Sequence, residues 1–221
     1  MVTLTATKNL SIEAKNQLSQ NKNNKFSLYY YPISGVVTGL RAMFAMSDAD
    51  YTFIQPTDWK EEKPLTPFGS MPVLYETTPT GEVLELAELS VLEHYIGEKF
   101  GWLGDNKWEQ NIVKMYHSSS QALFDKLVTT VVRTPKEHYD QMLEIWASTI
   151  VPEWAEYHER ALKANGFNGH YVGSKLTIAD IKTPAIMAVY DNLEKQPKYA
   201  AWKASEECRG YAELNRQMFK F

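Results

Sequence analysis

Thr66-Pro67-Phe68-Gly69-Ser70-Met71-Pro72-Val73-Leu74 is the stretch that decides how this chain folds. Pro72 opens an apolar run, and a residue without a backbone N–H is tolerated in a sheet only at an edge or a strand start. The run continues through Tyr75, and Val83-Leu84-Glu85-Leu86 follows after Thr77-Thr78-Pro79-Thr80-Gly81, the turn chemistry of a hairpin. Two geometries fit the Met71-Pro72 bond. A trans bond makes Pro72 an ordinary strand opener. A cis bond turns the Met71 amide and carbonyl outward, where they can pair with an extended peptide as a short antiparallel ladder.

Upstream of this turn, Phe26-Ser27-Leu28-Tyr29-Tyr30-Tyr31 is an aromatic run stopped by Pro32, the pattern of a buried strand. Val37, Leu40, Arg41, Phe44 and Ala45 recur at helical spacing, with Ser34 near the N-cap, and a second strand is expected over Tyr51 to Gln55. Downstream, Leu89, Leu92 and Ile96 mark a helix face that ends near Gly97 to Gly101. From Trp108 every long pattern is helical: Ile112, Met115, Leu123 and Leu127; Met142, Ile145 and Trp146; Ile181, Ala185 and Val189. The order is βαβ, ββα, then helix alone. Residues 1–25 are rich in Asn, Gln, Lys, Ser and Thr with Glu13 the only acid, which predicts a mobile extension. It has neither the arginines of a transit peptide nor the apolar core of a secretion signal, so the sequon at Asn9 is incidental.

Composition narrows the function classes. The 221 residues are 44% hydrophobic, enough for one large core or two modest ones. A net charge of −4 offers no basic field for phosphate backbones or anionic lipid, so neither nucleic acid nor a membrane surface is expected as a partner. One cysteine, Cys208, and five histidines supply no disulfide and no thiolate metal cluster, so no metal is expected and a reducing, cytoplasmic setting fits. Leu28 to Met46, the longest apolar region, is broken by Pro32, Gly35, Thr38 and Arg41, short of a membrane span.

Asp58-Trp59-Lys60-Glu61-Glu62-Lys63, the Thr66–Leu74 turn, and a helix ending Tyr95-Ile96-Gly97-Glu98-Lys99-Phe100-Gly101 together resemble the glutathione-binding half of cytosolic glutathione transferases, closest to the sigma class. Leu176-Thr177-Ile178-Ala179-Asp180 is similar to the family's capping-box motif at a buried helix. The resemblance implies an α/β thioredoxin-like domain over 26–104, an all-α helical domain over 105–221, the extension over 1–25, and a homodimer. It implies glutathione as co-substrate and a small hydrophobic electrophile as its partner in reaction.

A thiol with a pKa near 8.5 is mostly protonated at neutral pH, so an enzyme using glutathione as nucleophile must stabilise the thiolate with a positioned donor or a helix N-terminus. Aligning Arg41 with the family's arginine puts Tyr30 in the tyrosine donor's place; core packing is the competing reading for one of three adjacent tyrosines. Ser34 is the alternative, since Ser-type members carry their hydroxyl four residues further on. By the same resemblance Trp59 and Lys63 meet the glycyl carboxylate, Ser70, Met71 and Pro72 form the turn that pairs with the cysteinyl backbone, and Glu88 meets the γ-glutamyl amino group. Three positions depart: Val36 replaces an arginine near the thiol, Leu89 a serine for the γ-glutamyl carboxylate, and Ser118 a partner-subunit aspartate. A hydrogen bond to a charged group is worth about 1.5 to 3 kcal/mol, so such losses imply glutathione binding weaker by two orders of magnitude. The Leu89 amide, opening a helix, can still face the carboxylate. Two functions remain: a transferase with weakened activity, its electrophile bound near Tyr116 and Phe124, and a non-catalytic carrier or structural protein on the same fold. The joint survival of Tyr30, Trp59, Lys63, Met71-Pro72 and Glu88 favours the first.

Overall fold

The structure, a computed structural model, describes residues 5–33 and 35–183; Ser34, Ala185, Val189 and Cys208 lie outside the described residues. Four strands form one sheet: β1 Lys25–Tyr29, β2 Asp50–Ile54, β3 Val73–Thr77 and β4 Val83–Ala87, in the order β2-β1-β3-β4. The first two strands are parallel and the other pairs antiparallel. The βαβ and ββα units expected from the sequence are thus present, and Thr78 N–H closes the hairpin on Glu82 O at 2.9 Å.

Alternation along β1 separates the two faces of the sheet. Phe26 and Leu28 point into the main core, where α2 (Thr38–Met46) and α4 (Leu89–Lys99) bury Leu40, Met43, Phe44, Leu92 and Ile96 against them. Tyr29, Val73 and Tyr75 form a second cluster on the opposite face. The helical half comprises α5 (Lys107–Leu127), α6 (Tyr139–Ile145), α7 (Val151–Ala164) and α8 (Ile178–Lys182), with wide π turns at Val128–Val132 and Trp146–Ile150. Its core is continuous with that of the sheet, because Val113, Leu162, Ile178 and Ile181 pack into the same cluster. Close approach of α8 to α4 depends on Gly97, where a Cβ would lie 2.6 Å from Ile178 Cγ2. The expected capping box opens α8: Thr177 caps the helix and Asp180 accepts the Thr177 amide at 2.7 Å. Among the described residues, no helix is long and apolar enough to cross a membrane.

Three sequence expectations change. The aromatic strand ends at Tyr29 rather than Tyr31, because the buried guanidinium of Arg41 takes the carbonyls of Tyr31 and Ile33 out of the sheet. On α5 the buried stripe is Val113, His117, Ser120 and Leu123, while Met115 is 51% exposed. Leu123 is as expected, but polar residues occupy two positions of that stripe, so apolar spacing alone reads a face rotated from the buried one.

The third change concerns the N-terminal segment expected to be mobile. Residues 12–19 form a helix, α1 (Ile12–Ser19), capped by Ser11 and fixed at both sides. Before it, Thr7 N–H reaches Val83 O at 2.9 Å and Thr7 Oγ1 accepts from Val83 N–H at 2.8 Å. After it, the Asn24 amide donates to Leu18 O at 2.8 Å and to Glu76, and Lys99 Nζ donates to Ser19 O at 2.6 Å. The anchoring is by hydrogen bonds to a buried carboxylate, which a measure of apolar content does not register.

A second polar set holds the helical half. His158, 3% exposed, contacts Ser119 Oγ through Nε2 at 2.8 Å and Tyr171 Oη through Nδ1 at 2.7 Å. Burial pushes its imidazole down to about 4, so it is neutral at pH 7.

Candidate functional site

Register places the candidate residues at one end of the sheet. Ile54, Tyr29, Val73 and Ala87 stand in one row across the four strands. Tyr30, Pro72 and Glu88 each lie one residue beyond that row. With strands about 4.8 Å apart, their backbones fall within about 10 Å of one another. Tyr30 N–H is held by Ile54 O at 3.0 Å.

The Tyr30 ring packs against the main core, and its guanidinium neighbour Arg41 sits 6.0 Å from the ring centroid. Burial raises the hydroxyl's pKa, while the Val36 backbone amide and the charge of Arg41 oppose that rise. The phenol therefore keeps its proton at neutral pH and acts as a donor. Arg41 is itself 2% exposed, bonds the carbonyls of Tyr31 and Ile33, and sets the path of the chain after Tyr30.

Trp59 and Lys63 reach this end from α3 (Trp59–Glu62) and the 3-10 turn Lys63–Leu65. Asp58 caps the helix by accepting the amides of Lys60 at 3.0 Å and Glu61 at 3.3 Å. Glu62 ties it to the sheet: its carboxylate accepts from Thr57 Oγ1 at 2.6 Å, the Asp58 amide at 3.0 Å and the Tyr29 hydroxyl. The Thr57 hydroxyl first, then Tyr29, hold that carboxyl down at about 2. Trp59 consequently lies against two tyrosines, at 6.4 Å from Tyr29 and 6.3 Å from Tyr31. The exposed Lys63 side chain runs over Gly69, whose φ of +62° suits glycine and where a Cβ would meet Lys63 Cε at 3.4 Å. Ser70 is exposed beside it.

The Met71-Pro72 bond is cis, which settles the choice left open by the sequence. The Met71 amide and carbonyl hold no turn or loop hydrogen bond among the described residues. Glu88, exposed, has φ +72° and ψ +113°, a conformation costly for a residue with a side chain. Such outliers concentrate at ligand clamps, and here the outlier aims an unbonded carboxylate outward just before the amide of Leu89 opens α4. The sheet end thus presents a phenolic donor, an indole N–H, an ammonium, free main-chain groups and a carboxylate. That set complements an extended peptide with free carboxylate and amino groups.

The remaining residues singled out from the sequence fall as follows. Val36 packs against the core in the 3-10 turn Gly35–Val37, Leu89 does so at the start of α4, and Ser118 is exposed on α5. Tyr116, expected near the electrophile, stacks on Tyr171 at 4.6 Å and 21° and so belongs to the aromatic core of the helical half. Phe124 is half-buried on α5. Sequence reasoning missed the Tyr29–Glu62 bond; a tyrosine alternating with Tyr30 to the opposite face was its only available signal.

Comparison with known proteins agrees with this architecture. No protein-family model matches the chain. Glutathione S-transferase S1 of Drosophila melanogaster is 23% identical over 161 residues, 72% of this chain and 61% of its own length, less than two thirds of that relative. A sigma class glutathione transferase of Fasciola hepatica superposes with TM-score 0.63 at 16% identity, covering 90% of this chain and 93% of that one. Prostaglandin synthase D of Nilaparvata lugens gives 0.69 at 21% identity, covering 82% and 98%. The fold is that of a thioredoxin-like domain followed by a helical domain, as in these transferases. The chain is thus similar in sequence to glutathione S-transferases and shares their fold.

Proposed function

We propose that this protein binds glutathione at the end of the sheet and joins its thiol to an electrophilic small molecule. The observation that supports this most is the gathering of Tyr30, Trp59, Lys63, Met71 and Glu88 around one row of strand ends, with Glu88 exposed and at positive φ. In this reading the Tyr30 hydroxyl donates to the thiolate, Met71 pairs by backbone with the cysteinyl residue beside Ser70 and Pro72, Trp59 and Lys63 hold the glycyl carboxylate, and Glu88 takes the γ-glutamyl ammonium. The Leu89 amide meets the neighbouring carboxylate. Once the thiol proton has passed to solvent, the thiolate's electron pair forms a carbon–sulfur bond while the electrophile's carbon releases a leaving group with its bonding pair, or its π pair moves to the neighbouring atom and takes up a proton.

Val36 stands where the resemblance places an arginine beside the thiol, and buried Arg41 is already bonded to the carbonyls of Tyr31 and Ile33, so the bound thiol ionises less completely at neutral pH than a second arginine would allow. Weakened turnover follows. The protein acts in the cytoplasm as a homodimer, for which the exposed apolar side chains of Phe68, Val91, Trp108 and Met115 provide a surface. Its class, on the motifs around Trp59 and Met71-Pro72, is sigma.

The test is a pH titration of thiolate absorbance in the glutathione complex, with conjugation rates to a small electrophile. Tyr30→Phe keeps the ring and removes the donor, so the bound thiol's pKa should rise by about one unit or more, each unit being 1.36 kcal/mol. If Ser34→Ala abolishes turnover and Tyr30→Phe does not, the donor assignment is wrong. If the parent binds glutathione with no turnover, the protein is a carrier.

A further inference from the structure

The N-terminal helix covers a cavity of about 310 Å³ at the β4 edge of the sheet. This volume lies within the range of about 300 to 1,000 Å³ that small-molecule sites occupy. Its walls come from both elements: Ile12 on α1, and Leu74, Leu84 and Leu86 on the sheet. Leu74 faces Leu86 and Glu76 faces Leu84 in the register, so the three leucines share the face on which α4 packs. These apolar walls suit an aliphatic guest, while Lys15, Asn16 and Ser19 make the rest of the α1 side polar.

The inner polar groups make no demand for charge. Glu76, 2% exposed, accepts from the Asn24 amide, the Tyr95 hydroxyl and Lys99 Nζ. Lys99 neutralises it. Tyr95 lines the cavity, gives its one proton to Glu76 and stands beside the Ser19 hydroxyl, so its oxygen can only accept. At the rim, Lys15 stands opposite Glu85. Burial raises the Glu85 carboxyl, against the pull of the Tyr75 hydroxyl and the Lys15 charge. Two cations and two carboxylates therefore balance around the space. An anionic guest would lie near the carboxylates of Glu76 and Glu85, and a cationic one near the Lys15 ammonium.

We infer that the space between α1 and the β3–β4 face is a binding site for an uncharged aliphatic molecule bearing a single hydroxyl. Its chain lies against Ile12, Leu74, Leu84 and Leu86, and its hydroxyl donates to the Tyr95 oxygen. The site exists only because the segment before β1 folds back, tied by Thr7 to Val83 and by Asn24 and Ser19 to Glu76 and Lys99. It does not depend on the glutathione reading, none of whose residues lines the cavity.

The experiment is methyl NMR of the full chain, with labelled Ile and Leu, titrated with 1-octanol. Saturable shifts should appear at the methyls of Ile12, Leu74, Leu84 and Leu86. Ile12 is 80% exposed, so Ile12→Trp preserves the fold and narrows the entrance, weakening binding by about tenfold or more. Octanoate at pH 8 should bind about tenfold more weakly than octanol. Shifts absent from these methyls up to octanol saturation, or confined to other residues, overturn the site. Equal binding of octanoate overturns the uncharged class. Because the readout is local to these methyls, a failure of glutathione binding leaves the result intact.

Discussion

Two glutamates at opposite ends of the β3–β4 hairpin show how differently the same side chain is used. Glu76, near the turn, is buried and accepts from Asn24, Tyr95 and Lys99, while Glu88, one residue past the other end of β4, is exposed, backbone-strained and without a side-chain partner among the described residues. The first has its hydrogen bonding completed within the chain. The second waits for something from outside. Saturated polar groups at one end hold the N-terminal segment to the sheet; unsaturated ones at the other mark the site.

Breaking the saturated end should have the largest effect. Glu76→Ala leaves the Lys99 ammonium, 13% exposed, without its carboxylate, and removing one partner of such a buried pair costs about 3 to 5 kcal/mol. Urea unfolding should show this loss, and Glu76→Gln should recover part of it through the Asn24 and Tyr95 bonds. A change below about 1 kcal/mol would mean that α1 is not tied through this carboxylate.

The open end should respond the other way, in affinity with little change in stability. Lys63→Ala removes an exposed ammonium, and glutathione binding should weaken by about 1.5 to 3 kcal/mol, roughly ten- to a hundredfold, with a reduced dependence on salt. Calorimetry at two ionic strengths checks both halves. Trp59 should matter by packing as well, since it lies between Tyr29 and Tyr31.

A smaller effect should appear in the pH dependence of stability. Burial depresses His158 from its ordinary 6.5 to about 4, so its contribution is fully present above about 6.5 and is lost as pH falls toward 4, where the unfolded chain binds a proton that the folded one does not. His94, also lowered by burial to about 4, acts in the same window. His158→Phe should lower stability at pH 7 through two lost hydrogen bonds, yet flatten the decline between pH 6.5 and 4 in thermal melts.

The same contrast explains which features were legible in the sequence. The hairpin, the β1 pattern and the α8 capping box were readable because turn residues, alternation and cap spacing are local signals. Tyr30, Trp59, Lys63 and Glu88 could be named from their spacing, although their convergence depends on the row Ile54–Tyr29–Val73–Ala87, which only the register shows. What escaped was non-local polar pairing. Asn24 meets Glu76 across 52 residues and Lys99 meets Ser19 across 80, so α1 read as unanchored. His117 and Ser120 on the buried stripe of α5 misled the helix face for the same reason.

The central claim, that the open end of the sheet is a glutathione site, is tested most directly by isothermal titration of glutathione into the full chain. Saturable heat is expected, weakened by the absent arginine and serine at Val36 and Leu89 yet complete by about 10 mM ligand, and diminished in Lys63→Ala. No heat from the parent protein at about 10 mM would contradict the claim and remove the transferase reading with it.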